Sequence, residues 1–168
     1  MKRLILLITI IISTLSFAQE KGKIVLDEKS HKNMYVGYGD LTVFKDTSFS
    51  TWYGAEYDVY QPDKEVIKAF TPEKMAGVKI TIVMGTWCSD SKREVPRFIK
   101  LLDAVKFDTK NVNLIFVDKK KINPYGDIEP LQIKSVPTLI IYRDDKEIGR
   151  IIESPVETLE KDLAGILK

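Results

Sequence analysis

A single cysteine, Cys88, and a single histidine, His31, are the only thiol and imidazole in this chain. A structural zinc site takes about four ligands drawn largely from those two residue types, so none is expected. One thiol cannot form an internal disulfide, so Cys88 is not a covalent staple. It is either an inert buried thiol or a group that reacts with something outside the chain. His31 lies far from Cys88 in a polar segment and reads as a surface residue rather than a base. No Gly-rich phosphate loop, internal repeat or low-complexity tract is present. Tyr38-Gly39-Asp40 and Gly126-Asp127 read as turns too short for a calcium loop.

An excess of one charge is also missing. The formal net charge is +2, from 26 Lys plus Arg against 24 Asp plus Glu. Two of the bases, Lys2 and Arg3, precede the apolar run Leu4 to Ile12, and Ser16-Phe17-Ala18 offers small residues before a cut at Gln19. Residues 1–18 therefore read as a secretory signal peptide. The alternative is a retained membrane anchor, but the run is short for a span and polar Ser13 and Thr14 follow it. No cysteine stands near the cleavage site, so lipoprotein processing is not expected. Loss of Lys2 and Arg3 takes the bases from 26 to 24, equal to the 24 acids. A neutral mature chain has no basic field for nucleic acid or an anionic membrane. The expected location is outside the cytoplasm, periplasmic or extracellular, with no stable membrane span after cleavage. In such an oxidising compartment, paired cysteines would be disulfides.

What is present is concentrated at Trp87-Cys88-Ser89-Asp90-Ser91. An apolar run, Ile80 to Met84, precedes it, and a helical stretch from about Ser89 to Val105 follows. A cysteine at such a strand-to-helix junction meets free backbone N–H groups and the positive end of the helix dipole. Both favour a thiolate. About fifty residues on, Ser135-Val136-Pro137-Thr138 leads into the apolar strand Leu139 to Tyr142 and a charged turn, Asp144-Asp145-Lys146. Proline has no N–H for a ladder and so belongs at a strand's start.

Together these segments resemble the thioredoxin family over roughly residues 72–168. Trp87 and Cys88 match the tryptophan and nucleophilic cysteine of its active-site motif. Lys92 matches the basic residue that often follows, and Pro96 the proline within the active-site helix. Val136-Pro137-Thr138 matches the segment that carries the family's cis-proline, which faces the cysteine across the substrate groove. The resemblance implies a thioredoxin-like α/β fold, a central mixed sheet flanked by helices. It places the chemistry at Cys88, Ser91, Trp87 and Pro137, and the groove at Val136, Thr138, Asp90 and Lys92. Three departures stand out. Ser91 replaces the resolving cysteine, Ser89-Asp90 replaces the usual Gly-Pro, and Ile82 replaces the buried acid that moves protons during dithiol exchange.

The rest of the chain reads as follows. Residues 19–71 form an extension that packs on the 72–168 domain, with a short strand at 23–26. Tyr35, Tyr38, Phe44, Phe49, Trp52, Tyr53, Tyr57 and Tyr60 hold half of the chain's 2 Trp, 7 Tyr and 7 Phe. Residues 41–44 read as a strand. Phe49, Trp52, Tyr53, Tyr57 and Tyr60 fall at helical spacing, with Asp46, Thr47 or Ser48 as N-cap. This face reads as core packing on the sheet, or in part as a groove wall. A short helix from Pro62 follows, with Val66, Ile67 and Phe70 inward. Core strands are expected at 78–84, 112–117, 138–143 and 147–152. Between the second and third of them, residues 127–134 allow at most a short helix. A final helix from Pro155 buries Val156, Leu159, Leu163 and Ile166. Asp118 and Lys119-Lys120-Lys121 read as a strand end and a solvated charged loop.

One thiol limits the chemistry. A thiolate attacks a disulfide to form a mixed disulfide, and a second thiol normally releases the product. Ser91 cannot release it, although its hydroxyl can donate to the thiolate. The expected function is thiol-disulfide exchange through Cys88 alone, with client proteins or small thiols as partners, an external thiol for release and no cofactor. The alternative is a redox-inert protein that keeps the groove for binding. A peroxiredoxin is excluded because Gly85 stands where that chemistry needs threonine. Lys92 and Arg93 favour the thiolate, and Asp90 opposes it.

Overall fold

The computed structural model describes residues 21–168. The signal peptide expected at 1–18, with its cut before Gln19, lies outside the described residues. Six strands form one mixed sheet in the order β1-β2-β4-β3-β5-β6, flanked by helices. The strands are β1 (Lys23–Leu26), β2 (Asn33–Gly39), β3 (Val78–Met84), β4 (Val112–Phe116), β5 (Thr138–Arg143) and β6 (Lys146–Ile152). The helices are α1 (Thr47–Val59), α2 (Pro72–Met75), α3 (Ser89–Ala104) and α4 (Leu159–Ile166). No described helix is long and apolar enough to cross a membrane.

The centre of the sheet follows from apolar runs that bury both strand faces. β3 and β4 are parallel, with Ile82 opposite Leu114, as expected of strands joined by a crossover helix. β5 lies antiparallel on the other side of β3, and β6 antiparallel to β5. Alternation along β3 divides its side chains between two cores. Ile80, Ile82 and Met84 join Leu114, Phe116, Leu139 and Ile141 beneath Phe98 and Leu102 of α3 and Leu163 of α4. Phe98 is fully buried there. Truncating such a phenylalanine to alanine costs about 3–5 kcal/mol. Val83 faces the opposite way, into a smaller cluster with Ile115, Val117, Ile128 and Val136.

The N-terminal segment does more than cover the domain. β2 pairs antiparallel with β4, placing Tyr38 opposite Ile115, and β1 pairs with β2. The extension thus supplies two strands to the sheet. α1 forms where the aromatic spacing predicts it, with Asp46 as N-cap accepting from the Ser48 N–H at 2.8 Å. It packs beside α3, burying Phe49 and stacking Phe44 on Tyr53 with ring centroids 4.2 Å apart.

Three local expectations are corrected. Residues 41–45 are a 3-10 turn, not a strand. Asp40 caps it by accepting from the Thr42 N–H at 2.8 Å, so the backbone turns before a strand can start. The helix from Pro62 is a 3-10 turn at Val66–Ala69 followed by α2, although Phe70 is buried as expected. The last helix starts at Leu159, after an N-cap at Thr158 that accepts from the Lys161 N–H. Asp162 takes the N–H groups of Val156 and Glu157 instead, which holds that stretch outside the helix and leaves Val156 95% exposed.

Between β4 and β5, the 3-10 turn at Glu129–Leu131 is the only helical structure. The Val83 face of the sheet is therefore covered mainly by irregular chain. An open cavity of about 820 Å³ lies along residues 121–134, and neither Cys88 nor Pro137 lines it.

Candidate functional site

The site is built where β3 stops. Gly85 leaves the strand, and the Cys88 N–H donates back to the Gly85 carbonyl at 2.9 Å, closing a turn. A Cβ at Gly85 would stand 2.5 Å from Cε2 of Trp87, so glycine is required for the indole to fold back. That fold lets Trp87 Nε1 donate to the Val117 carbonyl at 2.9 Å. Cys88 is the N-cap of α3, with extended backbone at φ −84° and ψ 130°, and makes no capping hydrogen bond. Serine, threonine, asparagine or aspartate would usually occupy this position and satisfy a first-turn N–H. The sulfur is half-buried and is the only free thiol.

Facing it is the chain that enters β5. The Val136–Pro137 bond is cis, as the family resemblance implies. Cys88 Sγ donates to the Val136 carbonyl oxygen at 3.2 Å, joining segments 48 residues apart in sequence. The Pro137 carbonyl accepts from the Glu153 N–H at 2.7 Å, which anchors the segment to the end of β6. Thr138 is 1% exposed, and its hydroxyl donates to the Ser135 carbonyl at 2.7 Å. It shapes the 135–138 turn from inside and does not line an open groove.

Ser91 is fully buried, and its Oγ accepts from the Gly85 N–H at 3.3 Å. Its bond is to the turn, and no hydrogen bond joins it to the Cys88 sulfur among the described residues. Ile82 is fully buried in the apolar core beneath α3.

The charges separate into two groups. Asp90 is paired with Arg93 at 3.1 Å, and Arg93 also reaches Glu94 at 2.6 Å. Glu94 first, with Asp90, holds the Arg93 guanidinium more firmly protonated than usual. The Asp90 carboxylate is thus already engaged by Arg93. Lys92 makes no ion pair among the described residues and lies 5.8 Å from the Trp52 ring centroid, towards the extension.

Several residues here carry no sequence signal. Thr86, 2% exposed, accepts from the Tyr35 N–H of β2 at 3.1 Å. Asp27 pairs with Lys119 across 92 residues and accepts from Ser30. Lys119, with Ser30, holds the Asp27 carboxyl well below the usual carboxylate range. Lys119 is exposed in the turn after β4, as expected of a charged loop, and its ammonium reaches back to pair with Asp27. Asp118, by contrast, closes its own loop by accepting from the Lys120 and Ile122 N–H groups.

No family model matches the chain, and no curated protein matches it. Among solved structures it is similar to a protein of unknown function from Pseudomonas aeruginosa, at 12% identity over 77% of this chain and 90% of that one, with TM-score 0.49. It is also similar to an HIV epitope scaffold, at 12% identity over 77% of this chain and 92% of that one, with TM-score 0.53. At this identity the second likeness concerns the fold alone, a mixed α/β sheet with flanking helices.

Proposed function

We propose that this protein is an exported, thioredoxin-like thiol-disulfide exchange protein that works through Cys88 alone. The observation that carries the reading is the position of the thiol. Cys88 is half-buried at the N-cap of α3, with its sulfur 3.2 Å from the Val136 carbonyl beside Pro137. An inert structural cysteine would have no need of a helix N-terminus and a facing, anchored carbonyl.

In the reaction, Cys88 gives its proton to solvent water, which breaks the Sγ–H···O bond to Val136 and frees the sulfur. The thiolate attacks one sulfur of a bound disulfide. A new S–S bond forms to Cys88, the old S–S bond breaks, and the other half leaves as a thiolate with the electron pair. Cys88 is oxidised to the mixed disulfide, and the departing half is reduced. Trp87 shapes the approach through its bond to Val117. Ser91, held by Gly85, supplies no thiol to reverse the step, so an external thiol must release the adduct. Ile82 agrees with this scheme, because no buried acid is needed where no second thiol is deprotonated.

Intact-mass spectrometry after incubation with a small neutral disulfide tests the reading. One adduct per chain is expected, absent in Cys88→Ser and removed by excess thiol. An unmodified native protein would favour a redox-inert groove formed by Trp87 and Pro137.

A further inference from the structure

A second cavity, about 440 Å³, opens at Trp87 where the extension meets the domain. Trp87 lines it; Cys88, the next residue along the chain, does not, and its sulfur faces the Val136 carbonyl. The other walls come from distant segments and include Asp27, Lys32, Asn33, Lys92 and Lys119. The single carboxylate is already engaged, since Asp27 accepts from both Lys119 and Ser30. Lys32 and Lys92 have no carboxylate within ion-pair distance among the described residues. Asn33 Nδ2 donates to Ser48 Oγ, which fixes the wall between β2 and α1. The cavity thus carries two ammonium groups without a carboxylate partner, one of them, Lys92, over the Trp52 ring, and Trp87 of its wall adjoins Cys88 in the chain.

From this geometry we infer that the cavity is an anion site that selects the thiol partner. It takes the carboxylate-bearing arm of a small disulfide while Cys88 attacks the sulfur. The inference rests on the proposed thiol chemistry for its purpose but not for its existence. The volume is that of a small-molecule site, which occupies about 300–1,000 Å³. Two lysines that face a common anion bind it through charge-assisted hydrogen bonds. The site needs the extension as well as the domain, because Lys32 and Asn33 come from one and Lys92 and Lys119 from the other. The covalent step is unchanged. Cys88 gains the sulfur of the bound half, and the second half departs as a thiolate that takes a proton from water.

Three disulfides of similar size separate this inference from the reaction itself: dithiodipropionate, bis(hydroxyethyl) disulfide and cystamine, which are anionic, neutral and cationic. Adduct formation by the native protein should be about tenfold faster with the anionic than with the neutral compound, and slowest with cystamine. The anionic-to-neutral ratio should fall towards one in Lys32→Gln, and also in about 1 M salt, where the Debye length is about 3 Å. Equal rates for all three compounds would overturn the anion site and leave the thiol reaction standing. The site is read independently by titrating dithiodipropionate into Cys88→Ser and following tryptophan fluorescence. A saturable change that is weakened in Lys32→Gln is expected. Saturable binding with no adduct on native protein would keep the site and overturn the thiol reaction. No saturable change would overturn the site.

Discussion

The backbone N–H of Tyr35 donates to Oγ1 of Thr86 at 3.1 Å, tying strand β2 to a residue two positions before Cys88. The extension is thereby connected to the turn that presents the thiol, in addition to its ladder with β4. Replacing Thr86 with valine keeps the shape and removes the acceptor. A buried amide left without a partner costs about 1–3 kcal/mol. Chemical denaturation of Thr86→Val should show that loss, and the Tyr35 amide should exchange faster with solvent. An unchanged stability would mean that β2 is held by its ladder alone.

Gly85 and Trp87 make a second pair whose fit can be tested. A Cβ at position 85 would meet the indole at 2.5 Å, so Gly85→Ala must displace the ring and break its bond to Val117. The expected cost is about 1–3 kcal/mol, typical of overpacking. Tryptophan emission should move to longer wavelength as the indole gains contact with water. Trp87→Phe, which lacks the N–H, should lose less stability than Gly85→Ala.

The aromatic face of α1 gives the protein a limit on the alkaline side. Tyr57 donates to Asp103 at 2.6 Å, and this bond pushes its phenol up to about 12 from 10.0. Burial raises Tyr53 still further, and burial together with a hydrogen bond to Glu160 does so for Tyr60. A phenol whose folded value is raised holds its proton longer in the native state. Its contribution is complete below pH 10, the unfolded value, and is lost as pH rises through the folded value. Denaturation midpoints should therefore show no contribution from these phenols to any pH dependence below about pH 10 and should fall above it. Tyr57→Phe should reduce the fall. A midpoint that stays level up to pH 12 would contradict this reading of the α1 face.

Ser91 holds the turn in the position where a resolving thiol would stand. Its Oγ accepts from Gly85 and is fully buried. Ser91→Ala should cost about 1–3 kcal/mol, the range for a buried donor left without its acceptor. It should leave adduct formation at Cys88 intact, because the reaction needs only the thiol. Thermal unfolding and intact mass together check both statements.

The parts of the fold legible in the sequence are those where one physical signal dominates. β3 and β4 are mostly apolar runs, interrupted only by Lys79, Thr81 and Asn113, and α1 combines aromatic spacing with an aspartate at its start. The pairing of Cys88 with Val136 was legible only through the order of motifs, since nothing local in either segment points to the other. β2 escaped because Asn33 and two glycines, Gly37 and Gly39, dilute its pattern. Those glycines have a reason: at φ +112°, Gly37 brings its Cα so close to Gly22 that a Cβ would stand 2.4 Å away. Residues 41–44 looked strand-like because β-branched and aromatic residues suit a strand, but capping by Asp40 decided the local backbone. The lysine-lined cavity was invisible because Lys32, Lys92 and Lys119 meet only through the folded sheet.

The most direct measurement is the lifetime of the Cys88 adduct in native protein and in Ser91→Cys. Both are loaded with the same neutral disulfide, freed of excess reagent and followed by intact-mass spectrometry without added thiol. The account predicts a persistent adduct on the native chain, because no internal thiol competes for it, and rapid loss of the adduct in Ser91→Cys as an internal disulfide forms. A native protein that takes no adduct, or one whose adduct decays as fast as that of Ser91→Cys, would contradict exchange through a single thiol.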